Sequence, residues 1–269
     1  MMVSCNSKPI DLHVMTFNIR YDNPGDSLNS WAYRKDIAAE VISQNNIDLL
    51  GTQEVLAHQL KDLETRLPGY KALGVGREDG KEKGEYCAIL YKKDRFDEIK
   101  SGHFWLSETP EVAGSKGWDG ACERIATWVV LKDKESKKEL FFINTHLDHI
   151  GKAARREGVA LLLNRAKETG KGLPVIITGD FNAEPESDVI KHVLENGAFS
   201  DSRLVSPVAT GIAGTFNDFG RIPAEKRDYI DYIFVTKEFT VYSYEVLPEK
   251  KGETYYSDHA PVVAKMTLH

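Results

Sequence analysis

The sequence predicts an α/β (α+β) fold: a four-layer α-β-β-α sandwich of two mixed, mostly antiparallel sheets with helices on their outer faces. Strand-like segments outnumber helical ones by about eleven to four, which is too many strands for a doubly wound parallel sheet. The chain has 269 residues, 41% hydrophobic and 28% charged, so it can bury a large core. Because no Ser/Gly linker or internal repeat interrupts residues 11–269, we expect a single domain there.

The predicted strands are short apolar or alternating segments bounded by turn residues. The first alternates between apolar and polar side chains, whereas the segment that follows Pro174 is a continuous β-branched run ending at Gly179. Such a continuous run is typical of a buried central strand. The predicted strands are residues 12–19, 47–52, 70–75, 86–91, 98–106, 125–131, 140–146, 175–181, 229–235, 241–246 and 261–268.

Helical periodicity separates these strands in four places. In the first helix, Ile37 and Val41 lie on one face and Ser30 is the expected N-cap. The charged segments 77–83 and 132–138 are interpreted as solvated turns. The four predicted helices are residues 31–44, 56–67, 155–168 and 188–195.

The charge of the chain limits the kinds of partner that it can attract. Its formal net charge is −6, so the sequence has no strong basic patch for nucleic acid. An anionic substrate must therefore be attracted locally, by a metal or by a few Arg and Lys side chains. No apolar run reaches the roughly 18 residues of a transmembrane segment. We expect a monomer.

The three cysteines show neither metal-ligand spacing nor a disulfide framework. Cys87 lies in a strand-like run and is interpreted as a small core residue. Cys5, which follows Val3 and Ser4, resembles the end of a bacterial lipoprotein signal, and the alternative is an irregular N-terminus. We therefore treat residues 1–10 as a tail and expect a bacterial protein, either exported and lipid-anchored through Cys5 or cytoplasmic.

Polar side chains end or interrupt six of the predicted strands. Asp180 and Asn182 follow the apolar run after Pro174, and on an extended chain residues two apart share a face. Either segment 179–184 is an ordinary turn, or these groups meet partners from elsewhere, because burying them unpaired costs several kcal/mol. The same pattern at six strands favours convergence on one polar cleft. The residues in question are Asn18, Glu54, His146, Asp148, Asp180, Asn182, Asp231, Asp258 and His259.

This set of residue types indicates a particular chemistry. Oxygen and amide ligands favour Mg²⁺, with Mn²⁺ as a substitute, and Mg²⁺ is commonly held by one or two carboxylates plus phosphate oxygens. A histidine paired with an aspartate can act as an acid or as a hydrogen-bond donor, and another aspartate can deprotonate an attacking water. The sequence therefore predicts metal-assisted hydrolysis of a phosphoester by direct attack of water.

Six motifs resemble, in order, those of the endonuclease/exonuclease/phosphatase superfamily, which includes DNase I, abasic-site endonucleases, inositol-polyphosphate phosphatases, sphingomyelinases and CCR4-type deadenylases. Singly such motifs are weak, but six in register make a specific resemblance. It implies the four-layer fold and a Mg²⁺-dependent phosphoesterase. The motifs lie at residues 16–18, 53–54, 144–147, 179–182, 230–233 and 257–261.

The resemblance also implies roles for individual residues. Glu54 would be the principal Mg²⁺ ligand, and Asn18 would bind the metal or its waters. Asp180 would deprotonate the attacking water. Five more residues complete the implied catalytic group. Asn182 and His146 would bind the phosphoryl group, and His259 would be a phosphate donor or proton relay. Asp231 and Asp258 would orient the histidines or complete the metal site.

The expected substrate contacts come from other segments. Arg124 resembles the strand-borne arginine of the family and could clamp phosphate with two hydrogen bonds, or it could be a surface arginine. Trp31 and Arg34 open the first helix near Asn18 and are expected to line the cleft, and Phe216 to cover the leaving group.

The expected substrate is a phosphate ester: a nucleic acid, a nucleotide, or a phosphorylated lipid or sugar. Residues 144–146 resemble the deadenylase, sphingomyelinase and DNase I branches more than the abasic-site nucleases. We therefore predict a nuclease-like phosphodiesterase. The alternatives are a phosphatase or a phospholipase C-like enzyme acting on inositol phosphates or lipids, and an inactive binding module on the same fold.

Overall fold

Two β-sheets pack face to face in this computed structural model, which describes residues 8–195 and 197–269. Cys5 lies outside the described residues. The seven-stranded sheet has the order β10 (Ala209–Gly211), β12 (Phe239–Val246), β15 (Val262–Leu268), β1 (Ile10–Asn18), β2 (Leu49–Val55), β4 (Tyr86–Lys92) and β3 (Tyr70–Leu73). The six-stranded sheet has the order β5 (Phe96–Trp105), β6 (Ile125–Asp133), β7 (Glu139–His146), β8 (Val175–Asp180), β11 (Asp231–Val235) and β9 (Ser200–Asp201).

Both sheets are mixed. Three strand pairs are parallel: β1 with β2, β7 with β8, and β10 with β12. The other pairs in the two sheets are antiparallel. A two-stranded ribbon joins β13 (Lys250–Lys251) to β14 (Thr254–Tyr255). Every strand predicted from the sequence is present, whereas the short strands β9, β10, β13 and β14 were not predicted because two or three residues carry no periodicity.

The helices lie outside the sheets. Ser30 occupies the N-cap position of α1, but its side chain makes no capping hydrogen bond. None of the helices in the described residues is long and apolar enough to span a bilayer. The α-helices are α1 (Trp31–Gln44), α2 (Ala57–Arg66), α3 (Lys152–Gly170), α4 (Asp188–Glu195) and α5 (Ser202–Val205), with 3₁₀ turns at Pro24–Asn29 and Ala224–Lys226.

The core is divided into layers, as the hydrophobic pattern predicts. A central cluster between the sheets contains Val14, Leu49, Phe142, Ile176 and Ile233. A second cluster packs α1 and α2 on the seven-stranded sheet, and a third packs α3 and α4 on the six-stranded sheet. The α-β-β-α sandwich is therefore confirmed, with one apolar layer between the sheets and one beneath the helices on each outer face.

A buried polar network joins the two sheets at the end where the parallel strands finish. Gln53 Nε2 donates to Asn144 Oδ1 at 2.7 Å, and Thr178 Oγ1 donates to the same oxygen at 3.1 Å. Asn144 Nδ2 donates across the interface to the backbone carbonyl of Thr52 at 2.9 Å. Gly51 leaves the necessary space, because a Cβ there would overlap the Thr178 hydroxyl and the Asn144 amide. Satisfied polar groups of this kind fix the relative position of the sheets.

Candidate active site

Polar side chains from both sheets converge in a cleft of about 480 Å³ at this end of the sandwich. The parallel pairs β1–β2 and β7–β8 direct their carboxyl ends to the same edge, as the sequence pattern suggests. Asn18 and Asp231 lie immediately behind the cleft surface. The predicted site residues that line the cleft are Glu54, Arg124, His146, Asp180, Asn182, Phe216, Asp258 and His259.

Asp180, the last residue of β8, is the centre of the cleft and is almost fully buried. Its Oδ2 accepts a hydrogen bond from Asn18 Nδ2 at 3.0 Å and lies 3.3 Å from His146 Nε2 and 3.7 Å from His259 Nε2. Its Oδ1 accepts from the backbone N–H of Asn182 at 2.9 Å. One carboxylate therefore contacts residues from three other strand ends.

The carboxyl groups of the cleft are crowded, and their pKa values show it. Burial, followed by the neighbouring carboxylate of Asp231, raises the pKa of Asp180 to about 7. Burial also raises the pKa of Asp258, and the carboxylate of Glu54 acts in the same direction. A carboxylate with a pKa near 7 is suited to accept a proton from water at neutral pH.

His259 and Asp231 form a buried pair. His259 Nδ1 lies 2.8 Å from Asp231 Oδ2, which fixes the ring and directs Nε2 toward Asp180. Burial alone would lower the pKa of His259, but the carboxylates of Asp231 and Asp180 raise it well above its ordinary value. Phe216 packs against the ring, with 4.9 Å between centroids. His259 is therefore held as a charged donor.

The pKa of His146 is shifted in the opposite direction to that of His259. Burial, and next the positive charge of Arg124, lower its pKa well below the ordinary value. Asn182 Nδ2 donates to the carbonyl of Leu147 at 3.0 Å and to His146 Nε2 at 2.9 Å, so Nε2 is assigned as the acceptor and Nδ1 carries the proton. Asn182 has a φ of 46°, a left-handed conformation that asparagine tolerates. His146 and His259 therefore differ in charge.

Glu54 reaches the cleft because the backbone of β2 is irregular there. The register with β4 shifts between Thr52 and Val55, and Glu54 has a φ of 59°. Glu54 Oε1 accepts from Asn18 Nδ2 at 3.1 Å, and Oε2 accepts from the backbone N–H of Tyr21 at 3.2 Å. A bulge that redirects one side chain is common beside active sites.

The donor set fits a hard divalent cation. Two acidic side chains, Glu54 and Asp258, face the same cleft, and carboxylate oxygens are the ligands that such a cation prefers. Asn18 Oδ1 accepts from the backbone N–H of Arg20 at 3.0 Å, while its Nδ2 faces the carboxylates. This orientation suits Asn18 to order ligands and water rather than to bind a cation through its oxygen.

Arg124 lines the cleft, and one nitrogen of its guanidinium makes no hydrogen bond within the described residues. Its Nε donates to Asp148 Oδ2 at 3.4 Å, and its Nη2 donates to His149 Nδ1 at 2.8 Å. Its Nη1 is buried and has no partner among the residues that the structure describes. Asp148 also accepts backbone N–H groups, including that of Gly151 at 2.7 Å, so it positions Arg124 and orders the loop after β7. The interpretation of Arg124 as a surface residue is wrong, since it is only 5% exposed.

Trp31 and Arg34 do not line the cleft, so that prediction is wrong. Trp31 is buried, and its Nε1 donates to Asp62 Oδ2 at 3.0 Å. Arg34 is also buried, and its Nη1 donates to the carbonyls of Ile19 at 2.7 Å and Tyr256 at 2.9 Å. Proximity to Asn18 along the chain did not place these side chains in the cleft, because they turn inward and support the backbone behind the site.

The sequence did not predict four charged residues that line the cleft: Arg20, Arg77, Glu85 and Asp218. Arg20 lies 3.8 Å from Glu54 and 3.6 Å from Asp258, and its position two residues after Asn18 could have indicated it. Arg77 and Glu85 also line the cleft, although segment 77–83 was predicted to be a solvated turn. That prediction is wrong for Arg77, whose side chain is mostly buried against Glu85.

Comparison with known proteins agrees with the family resemblance seen in the sequence motifs. The family model described as the endonuclease/exonuclease/phosphatase family matches residues 15–259. A solved endonuclease/exonuclease/phosphatase from Bacteroides vulgatus is 44% identical, with a TM-score of 0.94 over 97% of this chain and 100% of that one. A mannosyl-6-phosphatase from Bacteroides thetaiotaomicron is 41% identical, with a TM-score of 0.89 over 95% of this chain and 99% of that one. Nocturnin from Mus musculus is 26% identical over 98% of this chain and 67% of that one.

Proposed function

We propose, from the premise that this chain belongs to the endonuclease/exonuclease/phosphatase family, that it hydrolyses a phosphate ester by direct attack of water in the presence of Mg²⁺. The observation that carries the proposal is the position of Asp180, whose carboxyl has a pKa of about 7 and contacts Asn18, His146 and the Asn182 backbone. No other carboxyl in the described residues combines these contacts with a pKa raised to that value.

The chain's own residues divide the chemistry as follows. Asp180 accepts the proton of the attacking water, and the amide of Asn18 holds that carboxylate in place. His259, charged through its pair with Asp231, donates a hydrogen bond to a phosphoryl oxygen. Arg124, whose Nη1 has no partner among the described residues, binds another phosphoryl oxygen, and Asn182, whose amide already donates to Leu147 and His146, orients His146. These donors stabilise the charge that develops on the phosphoryl group.

Glu54 and Asp258 would hold Mg²⁺, with Asn18 on its waters, and Mn²⁺ would substitute. The ion would supply charge for the phosphate oxygens and would lower the pKa of a bound water. Arg20, 3.6 Å from Asp258 and 3.8 Å from Glu54, keeps the two ligands oriented.

The proposed substrate is the phosphate monoester of a small polar molecule such as a sugar. Two observations support this over a nucleic acid. The chain is 41% identical to the mannosyl-6-phosphatase from Bacteroides thetaiotaomicron over 95% of its length. In addition, acidic Glu85 and Asp218 share the cleft wall with the arginines, and the net charge of −6 does not favour a polyanion.

The nuclease-like phosphodiesterase predicted from the sequence is the second candidate. A groove of about 1000 Å³ adjoins the cleft through Asn182 and Phe216. Lys152, Arg155 and Arg156 line it and would contact a nucleic-acid backbone. Five acidic residues share the same wall: Asp119, Glu184, Glu186, Asp188 and Asp228. Nocturnin and a Ccr4 exoribonuclease subunit are among the relatives of the chain.

A substrate panel tests the proposal. Turnover with Mg²⁺ and with Mn²⁺ is measured on mannose 6-phosphate, p-nitrophenyl phosphate, bis-p-nitrophenyl phosphate, an oligoribonucleotide, sphingomyelin and a phosphoinositide. We expect the sugar monoester to have the highest kcat/KM. Preference for the diester or the oligoribonucleotide would favour the nuclease. Preference for a lipid would favour the phospholipase C-like enzyme, and absence of turnover on every substrate would favour the inactive binding module.

A further inference from the structure

An ion pair between Arg77 and Glu85 forms one wall of the catalytic cleft. Arg77 Nη1 donates to Glu85 Oε2 at 2.7 Å, and Nη2 donates to Oε1 at 2.8 Å. Their side chains are 14% and 18% exposed, and both line the same cleft as Glu54, His146 and Asp180. This pair is therefore far more buried than a surface ion pair and lies beside the reacting groups.

The loop that carries the pair is fixed in place. Trp105 Nε1 donates to the carbonyl of Arg77 at 2.6 Å, and Asp79 Oδ1 accepts the backbone N–H groups of Lys81 at 2.8 Å and Lys83 at 3.0 Å. The backbone N–H of Arg77 donates to the carbonyl of Glu85 at 3.1 Å. The guanidinium and the carboxylate are thus held in one orientation before a ligand arrives.

Both groups keep hydrogen-bonding capacity that the protein does not use. A guanidinium has five N–H donors, and in the described residues the Arg77 side chain donates only to Glu85. A carboxylate can accept about four hydrogen bonds, and Glu85 accepts two from side chains. Burial raises the pKa of Glu85 against the opposing effect of Arg77, so this carboxyl is incompletely solvated.

The chemistry of the pair selects a kind of ligand. A second phosphate would meet the negative charge of Glu85, which already neutralises Arg77. A hydroxyl group can donate to a carboxylate and accept from a guanidinium at the same time, so a neutral polyol satisfies both. We propose that Arg77 and Glu85 form the subsite that binds hydroxyl groups of the leaving alcohol, and so determine specificity for polyhydroxylated phosphate esters. This inference rests on the proposed function and names the feature of the substrate that the enzyme recognises.

Binding to an inactivated protein tests the subsite separately from catalysis. Titration calorimetry in the presence of Mg²⁺ measures the affinities of mannose 6-phosphate and ethyl phosphate, which share a phosphate but differ in hydroxyl groups. The two proteins compared are the single variant Asp180→Asn and the double variant Asp180→Asn, Glu85→Gln. We expect mannose 6-phosphate to bind at least about 10-fold tighter than ethyl phosphate, and Glu85→Gln to remove most of that difference. Turnover of the wild-type protein tests the proposed function independently.

Glu249→Gln is the matched control. Glu249 pairs with Arg227 at 2.6 Å and has the same 18% exposure as Glu85, but it lies outside the cleft. We expect this variant to keep the full preference for mannose 6-phosphate.

Three results would overturn the subsite. The first is equal affinity for the two ligands in the protein with Glu85 intact. The second is an equal loss of both affinities in Glu85→Gln, which would indicate a structural pair. The third is a gain of both affinities, which would indicate that Glu85 only excludes anions.

Discussion

Replacing Asp231 with asparagine tests the electrostatic coupling at the centre of the site. Asp231 Oδ2 lies 2.8 Å from His259 Nδ1, and both groups are buried. Opposite charges about 4 Å apart interact by about 4 kcal/mol at an effective dielectric constant near 20. Asp231 raises the pKa of His259 through this attraction and raises that of Asp180 by repulsion. Removing its charge therefore lowers both pKa values.

The assay is the pH dependence of kcat/KM with saturating Mg²⁺. In the proposed mechanism the acidic limb reports deprotonation of Asp180, and the basic limb reports loss of the proton from His259. We expect both limbs of Asp231→Asn to move to lower pH by about one unit or more, and the maximum rate to fall by about 100-fold. An unchanged profile, or limbs that move in opposite directions, would refute the reasoning. Circular dichroism and a thermal melt show whether the variant is folded.

Four further variants test other parts of the site and of the fold. Asp180→Asn and His259→Ala should each lower kcat by about 100-fold or more with the fold intact, and near-wild-type rates in either would remove that residue from the mechanism. Gly51→Ala should lower the free energy of unfolding by about 3 kcal/mol in urea titrations, because its Cβ overlaps the Thr178 hydroxyl, and unchanged stability would contradict that packing. Burial alone would raise the pKa of Asp148, but backbone N–H donors lower it. The stability that this carboxylate contributes is therefore complete above about pH 4 and is lost as the pH falls through the pKa of the folded state. Asp148→Asn should therefore be less stable at pH 7 but lose less stability on acidification, and a parallel loss in both proteins would contradict this.

Much of the architecture was predictable because its signals are local. The β-branched run before Asp180 and the alternation before Asn18 define buried strands, and a polar residue at the end of each strand leaves the core. Convergence on one cleft was predictable because the same polar pattern recurs at six strands.

The remaining features depend on tertiary geometry that no local pattern encodes. Glu54 reaches the cleft through a bulge and a positive φ, and its neighbours in sequence do not indicate either. Arg34 points into the molecule because backbone carbonyls of two distant segments need a donor. Arg77 and Glu85 meet across a loop whose position is set by Trp105 of β5. Side-chain direction at such positions is decided by partners far away in the chain.

The most direct test of a cation-dependent phosphoesterase centred on Asp180 is turnover measured before and after chelation. Activity on the best substrate of the panel is recorded in excess EDTA and then during titration with Mg²⁺, for the wild type and for Glu54→Gln. We expect no turnover in EDTA, full recovery of the wild type, and a half-saturating Mg²⁺ concentration for Glu54→Gln that is higher by about 10-fold or more. Full wild-type rates in excess EDTA, or identical Mg²⁺ titrations for the two proteins, would contradict the proposed mechanism.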